Sequence, residues 1–273
     1  MVKPLLPRKG VKIGHTGTLD PMASGLLVLL LGRATRLSRY VTGLDKSYTA
    51  AARLGATSDS LDADGEIVEL DGPVPAEAEL REMLPRFTGE IEQVPPMASA
   101  VKVGGERLYK AHRRGETVER ERRSATVYSL ELTGYDAAER TANFEVSCGS
   151  GTYVRALISD LSEAAGSDAY LTSLRRTSVG SLSLWDAVSP EGLTAEELPS
   201  RLVAMREVVS HLPALEVDEQ GRRRVGDGKS LAPGGDLSAV EGGALRVEHR
   251  GELLAIYRVE DGTARPEAVL CAG

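Results

Sequence analysis

The sequence predicts an α+β fold followed by a small β-rich region. Short predicted strands and helices follow one another without the regular strand–helix–strand order of a parallel sheet. Residues 125–135 and 141–148 alternate between apolar and polar side chains, which predicts an antiparallel pair around a polar turn. Proline-containing stretches between residues 190 and 213 then mark a boundary, and only short strands follow. We therefore expect two domains, residues 1–209 and residues 210–273, in this chain of 273 residues.

Hydrophobic patterns predict the elements of the first part of the chain. The run 26–31 is wholly apolar and lies between two glycines, which predicts a strand buried on both faces. Residues 34–41 predict a helix with its arginines on the side away from the apolar residues. Residues 48–54 and 66–70 are each expected to form a strand.

Two later helices have stronger signals. Pro75 is expected to open the first. Its apolar side chains recur at the spacing of one helix face: Leu80, Met83, Leu84 and Phe87. Thr152 is expected to cap the second helix. The inward residues of that helix are expected to be Val154, Leu157, Ile158 and Leu161. Further strands are expected at 244–249 and 253–259, joined by a turn at Arg250 and Gly251.

The charge distribution leaves the type of partner open. A net charge of −7 disfavours a nucleic-acid partner at first sight, because phosphate binding depends on Lys and Arg. Basic residues, however, concentrate in residues 33–39 and 102–123, while acidic residues crowd residues 59–71 and 191–197. A local basic face on an acidic protein is compatible with RNA binding but does not demonstrate it.

Neither a membrane span nor a metal site is predicted. No apolar run reaches the roughly 18 residues that a membrane helix requires, and the N-terminus lacks the long apolar stretch of a secretory signal. Cys148 and Cys271 form neither a metal-ligand spacing nor a disulfide framework, which fits a reducing cytoplasm. The four histidines are scattered along the chain.

The most unusual segment is residues 14–25, GHTGTLDPMASG, which lies directly before the apolar run. Glycines, a proline and small polar residues predict an irregular loop, and catalytic groups are often found on loops held by rigid elements. Asp20 precedes Pro21, which favours an extended backbone at Asp20. Taken alone, an Asp-Pro pair is also typical of a purely structural turn.

The complete string, G-H-x-G-x-L-D-P followed by x-A-S-G, resembles the catalytic motif of the TruB family of tRNA pseudouridine synthases. Further segments resemble that family's later motifs in the same order: DKSY at 45–48, RLG at 53–55, DADG at 62–65, GEIEQVPPM at 89–97, SAVK at 99–102, GTYVR at 151–155 and LRR at 174–176. The resemblance covers about residues 11–180. Each segment alone is a weak signal, whereas the ordered set is specific.

The resemblance implies a pseudouridine-synthase-type fold, in which a mixed, largely antiparallel sheet is flanked by helices and loops. It implies an isomerase that converts uridine 55, in the T-arm of tRNA, to pseudouridine without a cofactor or a metal. Residues 212–270 resemble the PUA-like domain of many bacterial members, with a basic helix and turn at 220–228. This domain is expected to bind RNA away from the target base, on the acceptor side. A cytoplasmic monomer without a membrane or an obligate protein partner is expected.

The resemblance also implies the catalytic residues. Asp20 corresponds to the family's essential aspartate, a nucleophile that attacks either the sugar or the base. A carboxylate nucleophile must be ionised, and a neighbouring cation favours its ionised form. By resemblance this cation is Arg155. Tyr48 corresponds to the tyrosine whose phenol moves a proton during the isomerisation.

Other residues are expected to bind the target nucleotide. The uridine must be extruded from the folded RNA, and contacts in the pocket must offset the lost stacking. By resemblance, Tyr48 stacks on the extruded uracil, and Tyr153 and Leu174 form other walls of its site. His15 matches the histidine that helps to hold the extruded nucleotide. We also expect Asp62 to orient arginine or tyrosine groups in the site.

The sequence departs from the family pattern in two places. Relatives usually have a strand, a Lys-Pro-containing loop and a helix before the G-H-x-G motif. That opening block is missing, and residues 5–10 resemble the end of its helix, so we expect that the chain starts at an internal methionine or was cut short. Met97 and Ala98 stand where relatives often place an aromatic residue before Ser-Ala, so one stacking contact is expected to be lost.

Two other functions fit parts of the sequence. One is a catalytically idle RNA-binding protein or RNA chaperone with the same fold. The joint presence of Asp20, Tyr48 and Arg155 favours the enzyme over this alternative. The other is a hydrolase that uses His15, Asp20 and Ser24, but these three residues share one loop and lack the separate positioning of a catalytic triad.

Overall fold

The computed structural model describes residues 3–6, 10–231 and 240–271. Contacts divide the chain into two compact units. The central unit comprises Thr18–Leu27 and Gly43–Ala187, and the terminal unit comprises Met1–Gly17, Val28–Thr42 and Val188–Gly273. Both units are therefore discontinuous in sequence. The domain boundary expected between residues 209 and 210 stays a prediction.

The strands, in chain order, are β1 Ile13–Thr16, β2 Ser24–Gly25, β3 Val28–Leu31, β4 Lys46–Leu54, β5 Ala56–Ser58, β6 Ile67–Glu69, β7 Gly89–Gln93, β8 Lys102–Val103, β9 Glu106–Arg107, β10 Arg123–Asp136, β11 Thr141–Cys148, β12 Ala169–Val179, β13 Leu182–Ser183, β14 Ala214–Glu216, β15 Ala244–His249, β16 Glu252–Glu260 and β17 Thr263–Val269. The α-helices are α1 Ser38–Thr42, α2 Glu77–Met83, α3 Leu108–His112, α4 Val154–Ala164, α5 Met205–Val208 and α6 Glu219–Gly226.

A mixed sheet forms the centre of the central unit. Its main path runs β13-β12-β4-β11-β10-β7, with antiparallel neighbours throughout. β2 adds to β12 in the parallel direction, with Ser24 opposite Arg175 and Gly25 opposite Arg176. The sheet is therefore mixed and largely antiparallel, which confirms the predicted fold class. The hairpin of β10 and β11 also confirms the predicted antiparallel pair.

One hydrophobic core lies between this sheet and the helices α2 and α4. Successive residues of a strand point to opposite faces, so β11 directs alternate side chains into the core, and Phe144 is 1% exposed. The predicted inner face of α4 is confirmed, since all four of its residues are buried: Val154, Leu157, Ile158 and Leu161. Leu80 of α2 completes this core and is fully buried.

The starts of both helices differ from the predictions. The first helix begins at Glu77 rather than Pro75, and the backbone N–H of Ala76 donates to the carboxylate of Glu79 over 2.7 Å. The second helix has Tyr153 at its N-cap, so the expected cap at Thr152 is wrong. The Thr152 hydroxyl instead donates to the carbonyl of Gly149 over 3.0 Å, because the preceding Gly-rich turn brings that carbonyl within reach.

In the terminal unit, β1 and β3 form a two-stranded antiparallel sheet. The expectation that the apolar run 26–31 is buried on both faces is wrong. Leu30 is 4% exposed, whereas Leu29 is 37% exposed. Leu27, which precedes β3 in the chain and belongs to the central unit, is 41% exposed. The run is only partly covered because β3 belongs to a two-stranded sheet rather than to the interior of a larger one. The helical segment expected at 34–41 is confirmed as a 3-10 turn, Gly32–Leu37, followed by α1.

The C-terminal part of the terminal unit is a four-stranded sheet, in the order β14-β15-β16-β17. It confirms the predicted β-rich region and the predicted hairpin of β15 and β16. α6 confirms the predicted basic helix and packs on this sheet through Val225, which is fully buried. Apolar side chains of this sheet and of α6 thus form a separate small core.

Arginines of the first basic stretch are used inside the terminal unit. The Nη1 of Arg33 donates to the carbonyl of Leu270 over 2.9 Å, and Arg36 donates to the carbonyl of Val269. Arg39 pairs with Glu267 of β17. These side chains therefore hold the segment 33–39 on the last strand, which accounts for much of the basic stretch without a nucleic acid.

No helix in the described part of the chain is long and apolar enough to cross a membrane. At the N-terminus, Lys3–Leu5 form a 3-10 turn. The segment 5–10, interpreted above as the end of a missing helix, lies partly outside the described residues.

Candidate active site

The loop that carries Asp20 is anchored to the central sheet. The backbone N–H of Ala23 donates to the carbonyl of Asp20 over 2.9 Å, which closes a turn directly after the aspartate. Met22 and Ala23 pack on the hydrophobic core, and the Leu26 N–H donates to the carbonyl of Arg176 over 2.9 Å. The chain that follows Asp20 is therefore attached to the central unit at several points, which limits where the Asp20 carboxylate can point.

Gly25 is required for this attachment. Its φ is +99°, a conformation that other residues rarely adopt. A Cβ atom at this position would lie within 3.0 Å of three backbone atoms of Arg176. The loop can approach β12 this closely only because residue 25 has no side chain.

Arg155 joins the loop to the rest of the site. It is the second residue of α4, its side chain is 3% exposed, and its Nε donates to Oδ2 of Asp20 over 2.9 Å. Nη1 donates to the carbonyl of Ser60 over 2.5 Å, and Nη2 donates to the carbonyl of Ala98 over 2.8 Å. All three nitrogens of the guanidinium are thus engaged, so its plane has little freedom to rotate.

Asp62 is the second carboxylate on the same guanidinium. Its Oδ2 lies 3.1 Å from Nη1 of Arg155, and its side chain is 4% exposed. Its Oδ1 accepts from the Ser60 hydroxyl over 2.5 Å and from the Asp64 N–H over 3.1 Å. Asp62 is therefore held on both oxygens. A buried carboxylate of this kind is stable only when paired and hydrogen-bonded, and here its partner is Arg155. The orienting role expected of Asp62 stays a prediction.

The two carboxylates differ in access to solvent. The side chain of Asp20 is 34% exposed, whereas that of Asp62 is nearly closed off. Arg155 thus sits between one accessible and one inaccessible carboxylate. Of the two, Asp20 is the group that a bound molecule could reach.

Tyr48 and Leu174 lie on neighbouring strands of the sheet. Tyr48 is on β4 and half-buried, directly opposite Arg176 of β12, while Leu174 on β12 is 5% exposed and opposite Ala50. Burial raises the pKa of the Tyr48 phenol, an effect that Cys148 reinforces and Arg176 opposes. At neutral pH this phenol therefore keeps its proton and can both donate and accept a hydrogen bond.

Tyr153 lies at the N-terminus of α4, two residues before Arg155, and is half-buried. Burial raises the pKa of its phenol, while the charges of Arg123, Asp20 and Arg155 act on it in opposite directions. All the predicted site residues except His15 belong to the central unit: Asp20, Tyr48, Asp62, Tyr153, Arg155 and Leu174. Direct contacts join Asp20, Arg155 and Asp62.

His15 belongs to the terminal unit. It is an exposed residue of β1, with Leu29 of β3 as its partner across the two-stranded sheet. Its expected role in holding a nucleotide stays a prediction.

Three further residues of the site had no assigned role. Arg176 is 2% exposed and donates from Nε to the carbonyl of Leu26 over 2.8 Å. The carbonyls of Ser60 and Ala98 hold Arg155. The LRR motif contained a signal for Arg176, but backbone acceptors leave no signature in residue identity. In the described part of the chain, no three or more His, Cys, Asp or Glu side chains are grouped as metal ligands.

Known proteins resemble this chain in sequence and in architecture. A family model described as the TruB family pseudouridylate synthase N-terminal domain matches residues 3–154. A protein from Cupriavidus metallidurans named tRNA pseudouridine synthase B is 41% identical over 268 residues, which cover 95% of this chain and 85% of the relative. A protein of the same name from Burkholderia mallei is 42% identical over 270 residues, which cover 96% and 88%.

Solved structures support the same assignment of fold. The crystal structure of a Cbf5-Nop10-Gar1 complex contains a chain that aligns with a TM-score of 0.70 and 25% identity, covering 99% of this chain and 79% of that one. The archaeal box H/ACA sRNP Nop10-Cbf5 complex aligns with a TM-score of 0.68 and 24% identity, which supports the fold alone. The family model covers more than half of the chain, and the relatives match nearly all of it. The chain therefore belongs to the TruB family of pseudouridylate synthases.

Proposed function

We propose that this protein is a tRNA pseudouridine synthase that isomerises uridine 55 in the T-arm of tRNA. The observation that carries the proposal is the 2.9 Å hydrogen bond from the buried guanidinium of Arg155 to the accessible carboxylate of Asp20. The names of the relatives, tRNA pseudouridine synthase B, support tRNA as the substrate. The specific position rests on the family resemblance of the motifs.

The reaction breaks the bond between N1 of uracil and C1′ of ribose and forms a bond between C5 and C1′. The proton on C5 is removed, and N1 gains a proton, so that the product is an isomer of the substrate. No electrons are gained or lost overall. The reaction therefore requires no redox cofactor, and side chains alone can supply the nucleophile and move the protons.

Asp20 is the proposed nucleophile, and two steps fit its chemistry. Its carboxylate attacks either C1′, displacing the uracil ring, or C6 of the ring. On the first path the bond from C1′ to the carboxylate breaks as the C5–C1′ bond forms, and on the second path the bond from C6 to the carboxylate breaks after it. Arg155 pairs with the anionic form of Asp20 and fixes its direction, while Asp62 holds the guanidinium from its other side.

Tyr48, Tyr153 and Leu174 are the proposed walls of the uracil site. An aromatic face contributes about 1–3 kcal/mol for each stacked base, which offsets part of the cost of extruding the uridine. The Tyr48 phenol, protonated at neutral pH, is the proposed group that relays a proton during the isomerisation. His15 is proposed to hold the extruded nucleotide.

The remaining contacts with RNA are proposed to come from the C-terminal sheet and its basic helix. α6 carries Arg222, Arg223 and Arg224, and the Arg223 side chain is 80% exposed. Exposed guanidinium groups bind phosphates without regard to sequence, which suits a PUA-like region that contacts tRNA away from the target base. The protein is proposed to act in the cytoplasm as a monomer, without a cofactor or an obligate protein partner.

The test is incubation with an unmodified tRNA transcript, followed by chemical mapping of pseudouridine. We expect one modified site, at uridine 55, and no modification of a matched transcript with cytidine at that position. Modification at another position would contradict the proposed specificity. No pseudouridine under conditions that saturate tRNA binding would contradict the proposed activity.

A further inference from the structure

Gln93 contacts the start of α4 with both ends of its side-chain amide. Gln93 is the last residue of β7 and is 2% exposed. Its Oε1 accepts from the backbone N–H of Tyr153 over 3.1 Å, and its Nε2 donates to the carbonyl of Tyr153 over 3.2 Å. A single buried side chain therefore satisfies both backbone groups of one residue.

Tyr153 is the N-cap of α4. The Tyr153 side chain makes no capping hydrogen bond, and the Tyr153 carbonyl also accepts the first helical bond, from Leu157 over 2.9 Å. The first N–H groups of a helix have no partner within the helix. Gln93 supplies a partner from outside, and in doing so it fixes where the helix begins.

The segment that begins at Gln93 also holds the side chain of Arg155. From Gln93 the chain continues to Ala98, whose carbonyl accepts from Nη2 of Arg155 over 2.8 Å. Pro95 and Pro96 lie between these two contacts, both buried, and each proline restricts its own φ. Residues 93–98 therefore hold the first turn of α4 at two points, its backbone and its arginine, with a stiff connection between them.

We propose that Gln93 is a positioning residue for the isomerisation, which it serves by holding the first turn of α4 so that Arg155 meets Asp20. The inference rests on the proposed function. A glutamine suits the task because its amide offers a donor and an acceptor at once, whereas an ionised glutamate only accepts. The residue acts on Asp20 solely through Tyr153 and Arg155.

The test compares Gln93→Leu with Gln93→Glu, and uses Glu92→Ala as the matched control. Leucine is similar in size to glutamine but makes neither hydrogen bond. Glutamate keeps the acceptor for the Tyr153 N–H but loses the donor to the Tyr153 carbonyl. Glu92 is the exposed neighbour on the same strand. For each protein, kcat and KM are measured on the tRNA transcript, and the thermal midpoint is measured in parallel.

We expect both Gln93 variants to lose kcat on the order of 10- to 100-fold, because small misplacements of catalytic groups have effects of that size. KM should change less than about threefold, since Gln93 is buried, and Glu92→Ala should match the wild type. If the leucine variant fails to fold, the glutamate variant carries the test. A kcat for the folded variants within twofold of the control, or a loss confined to KM, would overturn the inference.

A crystal structure of the more stable variant provides a readout that does not depend on activity. We expect the Arg155 Nε to Asp20 Oδ2 separation to exceed hydrogen-bond distance, and an unchanged separation would overturn the inference. If the wild-type protein makes no pseudouridine, the proposed function fails, whereas the structural readout still decides whether Gln93 positions Arg155.

Discussion

The guanidinium of Arg155 connects the catalytic loop to the body of the central unit through Asp20, whose carboxylate accepts its Nε–H over 2.9 Å. The arginine is buried and the aspartate is partly exposed, so the charge of Asp20 is compensated from inside while its free side remains open. Ser60, Ala98 and Asp62 occupy the rest of the guanidinium. The position of Arg155 therefore helps to set the direction of the Asp20 carboxylate.

Arg155→Lys is expected to lower kcat by on the order of 100-fold. A lysine keeps the positive charge but presents a single ammonium, which cannot bridge Asp20, Asp62 and two carbonyls in a plane. The loss should appear in kcat on the tRNA transcript, because small displacements of a positioned nucleophile have effects of this size. Arg81→Lys is the control, since Arg81 forms an exposed pair with Glu77 on α2. Equal losses in the two variants would show that the geometry at Arg155 has no special importance.

Gly25→Ala is expected to destabilise the protein by about 2–4 kcal/mol, because a methyl group combines an unfavourable φ with overlap on the Arg176 backbone. Gly89→Ala provides the comparison, since Gly89 has φ +92° but nothing within 4 Å of the added atom. The free energy of unfolding of the Gly89→Ala variant should fall by only about 1–2 kcal/mol. Urea unfolding of both variants measures the difference. Similar losses would indicate that the close approach of Gly25 to β12 is unimportant.

The free energy of unfolding is expected to fall as pH rises from 9 to 11, in part because of Cys148. Burial raises the pKa of this thiol from 9.0 to about 11. The folded protein thus holds the proton more tightly than the unfolded chain, so the stabilisation is complete below pH 9 and is lost as pH rises through 11. The contribution is up to about 3 kcal/mol.

Cys148→Ala isolates this contribution. The packing that this variant loses does not depend on pH, and the variant lacks the titrating thiol. The difference in free energy of unfolding between the wild type and the variant should therefore shrink as pH rises from 8 to 11. Denaturant unfolding at several pH values gives the comparison. Parallel stability curves for the two proteins would rule out the thiol as a source of the pH dependence.

Much of the candidate site could be predicted because its side chains lie in ordered motifs. Asp20, Arg155 and Asp62 come from three separate segments, and the fold brings them onto one guanidinium. The carbonyls of Ser60 and Ala98 could not be predicted in the same way, because any residue type carries a carbonyl. The two contacts of Gln93 likewise depend on where α4 starts, and the sequence alone placed that cap one residue too early.

The prediction of burial failed, and the role of a basic stretch stayed open, where a local pattern had more than one structural outcome. The apolar run around β3 could have been the interior of a large sheet, but the strand has a single neighbour and leaves Leu29 exposed. Arg33 and Arg36 had the composition of a phosphate-binding stretch, yet they donate to backbone carbonyls near β17. In both cases the outcome depends on long-range contacts that short windows of sequence do not encode.

The role of Asp20 as the nucleophile is tested most directly by Asp20→Asn, assayed for pseudouridine formation on the unmodified tRNA transcript. Asparagine preserves the size of the side chain but removes its charge and nucleophilicity. We expect no conversion of uridine 55, even with enzyme equimolar to tRNA, while tRNA binding stays within a few-fold of the wild type. Conversion by the purified variant at a rate near that of the wild type would contradict the assignment of Asp20.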